Sequence, residues 1–278
     1  MDNDIQFAPA GTLPLDQLAK LFTRSFEGYF YATTMLPDQL AQRVRVEQID
    51  LWRSPLLLVA GEPVGVALVA LRGERAWCGG FGIVPPSRGK GLALLLAQQM
   101  LAEARAGGAL RFTLEVLTRN ERAAQVYQRA GLRSVRDLLI LEWRRSPGAS
   151  TDAGPALANG EPEDLLATFG RLHLTPPAWQ RDLPALLARS GLRGLALSEG
   201  DQLSAYILYQ EAPGGGARII DLGAQDQSAA LRLLASLKQR FERVMTVNEP
   251  DDSPTTRALV AAGFIELDRQ HEMAADLA

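Results

Sequence analysis

Two stretches of this chain hold residue types at spacings that chemistry requires. The first is Gly82-Ile-Val-Pro-Pro-Ser-Arg-Gly-Lys-Gly-Leu-Ala93. An apolar run ends at two prolines, a basic glycine turn follows, and a long helix begins directly after it. A helix N-terminus presents unpaired N–H groups and the positive end of the macrodipole. Gly89 and Gly91 have no side chains, so an anion can approach the backbone, and Arg88 and Lys90 add positive charge. The arrangement suits a pyrophosphate. A Walker loop would need Ser or Thr after Lys90, where Gly91 stands, and a dinucleotide fingerprint would need a small residue at Leu94. A solvated glycine turn with no ligand is the remaining alternative.

The second stretch is Leu114-Glu-Val-Leu-Thr-Arg-Asn-Glu-Arg-Ala-Ala-Gln-Val-Tyr-Gln-Arg-Ala-Gly131. Asn120 stands where a helix cap belongs, and Glu121 falls in the first turn. Ala123, Val126, Tyr127 and Ala130 recur at i, i+3, i+4 and i+7, which predicts the buried face, and Gly131 marks the end. On the strand before it, Glu115 shares a face with Thr113, while Leu114 and Val116 take the other. Glu115 can serve as a general base or as a structural carboxylate paired with an arginine such as Arg111. Tyr127 can serve as a hydroxyl donor or as a core aromatic.

The inventory excludes other chemistries. His173 and His271, the two histidines of the chain, both lie in the second half, so no Ser-His-Asp triad or His-ligated metal belongs to the first. No metal is expected. The lone cysteine, Cys78, forms no internal disulfide, fits a reducing cytoplasm, and sits beside Trp77 in an apolar strand, where it reads as core. Twenty-nine basic against 32 acidic side chains leave a net charge of −3, which draws the protein to neither nucleic acid nor an anionic membrane. The acidic start, Met1-Asp2-Asn3-Asp4, precedes no signal core, and no apolar run approaches the ~20 residues of a membrane helix. A cytoplasmic, soluble protein is expected.

The elements that must position these stretches follow from periodicity. Strands are predicted over 5–8, 56–60, 64–71, 76–84, 112–117 and 135–143, and helices over 14–26, 39–47, 92–105 and 120–130. Ala93, Leu96, Ala97, Met100, Leu101 and Ala104 make one apolar face of the third helix. Residues 144–155 are small, polar and helix-breaking, and predict a linker. Beyond it, strands over 195–198, 203–209, 218–222 and 244–247, helices over 229–243 and 254–262, and a strand from 264 repeat the later part of that order.

Both motifs resemble those of the GCN5-related N-acetyltransferase (GNAT) family. Arg88-Gly-Lys-Gly-Leu-Ala93 is similar to its Arg/Gln-x-x-Gly-x-Gly/Ala signature, and residues 114–131 to its Leu-Glu-Val…Asn-x-x-Ala-x-x-x-Tyr-x-x-x-Gly pattern. The resemblance implies an α/β (α+β) chain of two GNAT-like domains, each a mixed, mostly antiparallel twisted sheet flanked by helices. Residues 1–146 would be the active domain, 147–155 the linker and 156–278 a degenerate copy. Acetyl-CoA is the implied cosubstrate. Its pyrophosphate would rest on Arg88, Gly89, Lys90, Gly91, Leu92 and Ala93, its pantetheine arm along Gly82, Ile83 and Val84, with Asn120 and Ala123 close by. Tyr127 would stabilise the departing thiolate, and Glu115 would take the amine proton. A phenol (pKa ~10) hydrogen-bonds a thiolate (pKa ~8.5) more readily than it protonates it.

In this family the segment after the first helix shapes the acceptor pocket, here Glu27, Tyr29 and Phe30. The implied reaction is acetyl transfer to a primary amine of a small molecule or peptide. A non-catalytic CoA-binding regulatory or interaction protein is the alternative. In the second half, Gln225-Asp-Gln-Ser228 stands where the phosphate turn should be and Leu259 at the place of Tyr127, so that half is expected neither to bind CoA nor to catalyse. It would complete the acceptor pocket, support the first domain or dimerise, which makes a second copy of the chain a candidate partner.

Overall fold

A computed structural model describes residues 4–146, 157–200 and 202–278. The chain forms two compact units, Met1–Val135 with His271–Ala278, and Arg136–Gln270. The first unit runs β1 (Ile5–Pro9), α1 (Leu15–Ser25), α2 (Pro37–Glu47), β2 (Pro55–Val59), β3 (Glu62–Arg72), β4 (Arg75–Ile83), α3 (Leu92–Ala106), β5 (Arg111–Leu117), α4 (Glu121–Arg129) and the start of β6 (Arg133–Arg144). Every element predicted for this half forms. α3 buries Leu92, Leu96, Ala97, Met100, Leu101 and Ala104 along one stripe, with Ala93 half-buried at its edge. That stripe packs on Phe112, Leu114 and Val116, the buried face of β5, whose other face carries Thr113 and Glu115 half-exposed. Strands β1 to β4 pair antiparallel in sequence order, and β5 joins β4 in parallel.

The second unit continues through β6 to β7 (Ala158–Gly160), α5 (Pro162–Leu166), α6 (Phe169–Leu172), α7 (Leu183–Leu187), β8 (Arg193–Glu199), β9 (Gln202–Ala212), β10 (Gly216–Ala224), α8 (Gln227–Arg240), β11 (Arg243–Pro250), α9 (Pro254–Ala261) and the start of β12 (Ile265–Asp276). Its strand order is β6-β11-β10-β9-β8-β7, antiparallel except for the parallel pair β10–β11. The order strand, helix, parallel strand, helix repeats that of β4, α3, β5 and α4. Leu233, Leu234 and Leu237 of α8 form its core with Ile207, Ile219 and Leu222.

Two features differ from expectation. The units divide inside β6, not at residue 146, and the expected linker over 147–155 lies outside the described residues. The C-terminal residues, expected in a second domain spanning 156–278, belong to the first unit. There Met273, Ala275 and Leu277 share the core of Leu114 and Val116, and the Leu277 N–H donates to the Leu110 carbonyl at 2.8 Å. Arg105 Nε donates to the Leu277 carbonyl at 2.8 Å. Small, polar composition marks where a chain is unconstrained, whereas a unit is defined by the core its apolar side chains enter. The short elements between β7 and α7 were not predicted, because none exceeds five residues and prolines interrupt them. Among the described residues no helix is long and apolar enough to cross a membrane.

Candidate active site

β4 and β5 run together only over Arg75↔Arg111, Ala76↔Phe112 and Trp77↔Thr113. Past that point the pairing stops and the sheet opens between them. On its other edge β4 stays paired with β3, with a register shift at Leu68/Val69 that leaves Gly79 as an extra, bulged residue. The Gly79 carbonyl is held by Arg43, whose Nε pairs with Glu47 at 2.7 Å. The Val84 N–H donates to the Val64 carbonyl at 2.9 Å, toward β3. Strand alternation therefore turns the Ile83 N–H and C=O the other way, into the opening. Gly82 permits close packing here: a Cβ on it would lie 2.7 Å from the Ser25 Cβ and 2.9 Å from the Ser25 carbonyl oxygen. The Ser25 hydroxyl is buried there without a hydrogen-bond partner.

The predicted turn fills residues 84–91 between β4 and α3. Gly89 and Gly91 take φ of +76° and +78°, which L side chains rarely adopt, and both face open space. Gly91 caps α3 with no side-chain hydrogen bond, and the first turn of α3 contains no acidic residue. Among the described residues, the N–H groups of residues 89–93 find no backbone carbonyl. An N-cap side chain contributes about 1 kcal/mol to a helix. α3 forgoes it and leaves its donors and positive dipole end available to an anion. Lys90 is exposed beside them. Arg88, expected at the pyrophosphate, makes three hydrogen bonds to backbone carbonyls. Its Nε donates to the Ile83 carbonyl at 2.8 Å, and its Nη2 to the carbonyls of Ser25 at 3.0 Å and Glu27 at 2.9 Å.

Asn120 caps α4, its Oδ1 accepting the Ala123 N–H at 3.3 Å, so these two residues shape the head of that helix. Tyr127 is the buried residue of α4 and meets the Phe81 ring edge-on at 5.4 Å. Burial pushes its hydroxyl well above the usual phenol range, and the nearby Cys78 and Tyr29 push it further. Tyr127 is thus a neutral donor at physiological pH. Glu115 takes the Trp77 indole N–H on both carboxylate oxygens, at 3.0 and 2.8 Å. Burial pushes the Cys78 thiol up to about 12, with the Glu115 charge adding to the effect, so Cys78 is a protonated core residue rather than a nucleophile. Tyr29 and Cys78 therefore each lie within electrostatic reach of Tyr127, and Glu115 within reach of Cys78.

Glu27 is exposed, Tyr29 half-buried, and Phe30 46% and Tyr31 45% exposed. The Arg119 guanidinium lies over Phe30 at 4.7 Å and Tyr31 at 5.3 Å. Sequence reasoning missed Trp77 as the partner of Glu115, and Arg43, Arg119 and Ser25 entirely. All four depend on contacts between elements, and no local spacing encodes them.

The second unit opens in the same place. β10 and β11 pair from Gly216↔Arg243 to Ile219↔Thr246 and then part. No phosphate turn follows: α8 begins three residues after β10 ends, and the Asp226 carboxylate caps it by accepting the Ala229 N–H at 2.9 Å. Leu259 is fully buried in α9. A pocket here is lined by His173, Arg181, Asp221, Glu249, Ser253 and Thr255 among others. Arg181 is ion-paired with Glu249 and lies 3.8 Å from Asp221, and the Tyr206 hydroxyl donates to Asp221 at 2.8 Å. His173 Nδ1 faces the Phe169 carbonyl at 2.9 Å and Nε2 faces Asp221 at 3.1 Å. Burial opposes charge on this imidazole, but Asp221 and the Phe169 carbonyl outweigh it and raise its pKa.

Comparison with known proteins agrees with this geometry. The model of the Acetyltransferase (GNAT) family matches residues 15–132. Among curated proteins, none matches the chain. A tandem GNAT protein from the clavulanic acid biosynthesis pathway superposes with a TM-score of 0.69 at 16% identity, covering 99% of each chain. A GCN5-related N-acetyltransferase from Sphaerobacter thermophilus gives 0.70 at 16% identity, covering 98% of this chain and 96% of its own. A putative acetyltransferase from Pyrococcus horikoshii gives 0.66 at 14%, covering 98% and 88%. An open β4–β5 pair, a glycine turn at an uncapped helix and a buried tyrosine on α4 lie within the segment 15–132 that matches the GNAT family model, and the chain as a whole shares the fold of the tandem GNAT protein.

Proposed function

We propose that the first unit is an N-acetyltransferase that moves an acetyl group from acetyl-CoA to a primary amine of a small molecule or peptide. The observation that carries this reading is the uncapped start of α3, with two open glycines, at the end of a strand that has parted from its neighbour. The pyrophosphate would sit on the N–H groups following Arg88, and the pantetheine arm would run along Gly82, Ile83 and Val84. Strand-like pairing of an extended ligand with an unpaired strand edge is a common recognition mode.

The amine nitrogen attacks the thioester carbon, and its proton passes to Glu115 directly or through water. The oxyanion of the tetrahedral intermediate accepts from the Ile83 N–H. The C–S bond then breaks, and the thiolate leaves against the Tyr127 hydroxyl. That hydroxyl is a weaker acid than a free phenol, so it acts by hydrogen bonding and solvent supplies the final proton. Glu27, Tyr29 and Phe30 border the acceptor. The test is thiol release from acetyl-CoA across a panel of primary amines, with wild type and Tyr127→Phe. Wild type should turn over at least one amine, and Tyr127→Phe should lower kcat roughly a hundredfold while the KM for acetyl-CoA hardly moves. An equal kcat in the two proteins removes Tyr127 from the mechanism.

A further inference from the structure

Ser25 ends α1, and its carbonyl is one of the acceptors that a helix C-terminus leaves without an intrahelical donor. The Arg88 guanidinium supplies that donor from another part of the chain and takes the Glu27 carbonyl as well. A cation at this end also meets the negative pole of the helix. The next residue, Gly28, turns at φ +72°, and a Cβ there would stand 3.9 Å from Arg88 Nη1. From this anchored turn the chain enters Tyr29, whose phenol is close enough to raise the pKa of Tyr127, and then Phe30 and Tyr31 under Arg119. The same Arg88 begins the run whose following five N–H groups find no backbone carbonyl among the described residues. One side chain therefore joins the anion-binding turn to the segment that borders the acceptor.

We propose that Arg88 is a positioning residue that couples the two substrates: an anion bound at the turn fixes Arg88, and Arg88 fixes residues 25–31. Coupling between sites is reciprocal, so acetyl-CoA raises affinity for the acceptor and the acceptor raises affinity for acetyl-CoA. This inference rests on the reading of the turn as a pyrophosphate site.

The experiment is hydrogen exchange on the full chain, free and saturated with CoA, for wild type, Arg88→Ala and Arg88→Lys. In wild type, CoA should slow exchange at residues 89–93 and also at 26–31, the latter by roughly tenfold. In both variants, CoA should still protect 89–93, but the ratio of bound to free exchange at 26–31 should approach one. Lysine keeps the charge but cannot reproduce the three-way fork. A merely structural Arg88 would loosen the loop equally with and without CoA and leave that ratio as in wild type, which overturns the proposal. Protection of 89–93 without slowing of 26–31 in wild type overturns it too. No protection of either segment in wild type overturns the acetyl-CoA reading itself and the coupling with it.

Discussion

The two units of this chain part the same pair of parallel strands and fill the opening in opposite ways. In the first, β4 goes on past the split through Gly79, Gly80 and Gly82, with neutral Cys78 and Tyr127 beside it and Arg43 and Glu115 as the charged groups nearby. In the second, β10 goes on through Ile220, Asp221 and Leu222, and Asp221 is fully buried with Arg181, Glu249 and His173 around it. The helices that follow differ in the same sense. α3 starts at a bare glycine with no side-chain cap, whereas α8 starts at Asp226, whose carboxylate accepts the Ala229 N–H. The contrast teaches that equivalent openings can be built with opposite chemistry: one follows its strand with a bare glycine turn, and the other sets its own carboxylates and cations around the parted strands.

The largest effect should come from unbalancing the second opening. Asp221→Ala leaves Arg181 with Glu249 alone and His173 without its carboxylate, and removing one partner of a buried ionic cluster costs about 3–5 kcal/mol. Urea unfolding of the full chain should show that loss; a change below about 1 kcal/mol would mean the cluster is not charge-compensated. Next comes an exchange of character between the openings. Gly91→Asp places the second unit's acidic cap at the first unit's turn, and should weaken acetyl-CoA binding roughly a hundredfold, about 2.7 kcal/mol. Titration of that variant at unchanged affinity would show that the turn does not carry the anion.

A smaller effect depends on pH. His173 faces acceptors through both ring nitrogens, with Arg181 and Tyr206 as the other polar groups around Asp221, and its pKa is raised above 6.5. A raised folded-state pKa gives stability that is full below 6.5 and fades as pH rises through the folded value. The stability advantage of wild type over His173→Gln should therefore be larger at about pH 5.5 than at about pH 9. An advantage independent of pH would mean that folding leaves the His173 pKa unchanged. The smallest effect concerns Ser25. Its hydroxyl is buried without a partner, so Ser25→Ala should stabilise the free protein by about 1 kcal/mol. A loss of stability of similar size would show that the hydroxyl does make a hydrogen bond.

What could be read in advance was local. The glycine turn, the buried stripe of α3, the Asn120 cap and the alternation on β5 each lie within one short window, and each appears as expected. The departures in the second half, Asp226 within the turn segment and Leu259 in place of Tyr127, were legible too, whereas the cap that Asp226 makes and the burial of Leu259 come from the structure. The parting of β4 from β5, the bulge at Gly79 and the Trp77–Glu115 bond are non-local, because register between strands far apart in sequence has no signature in either strand. Return of the C-terminal residues to the first unit was hidden likewise: 265–276 reads as one strand, and nothing in it says that Met273 and Leu277 enter a different core. The charged cluster left one faint trace, a single acid within Arg218-Ile-Ile-Asp-Leu-Gly223, but its partners come from three other segments.

That return also decides how the central claim should be tested, since a cut between the halves would remove part of the first unit's core. The direct measurement is calorimetric titration of the intact chain with acetyl-CoA. Occupancy of one site per chain at micromolar or tighter affinity is the predicted result. Two sites per chain would contradict the account by showing that the Asp226-capped opening still binds the cofactor, and no binding would contradict it by showing that the open glycine turn does not.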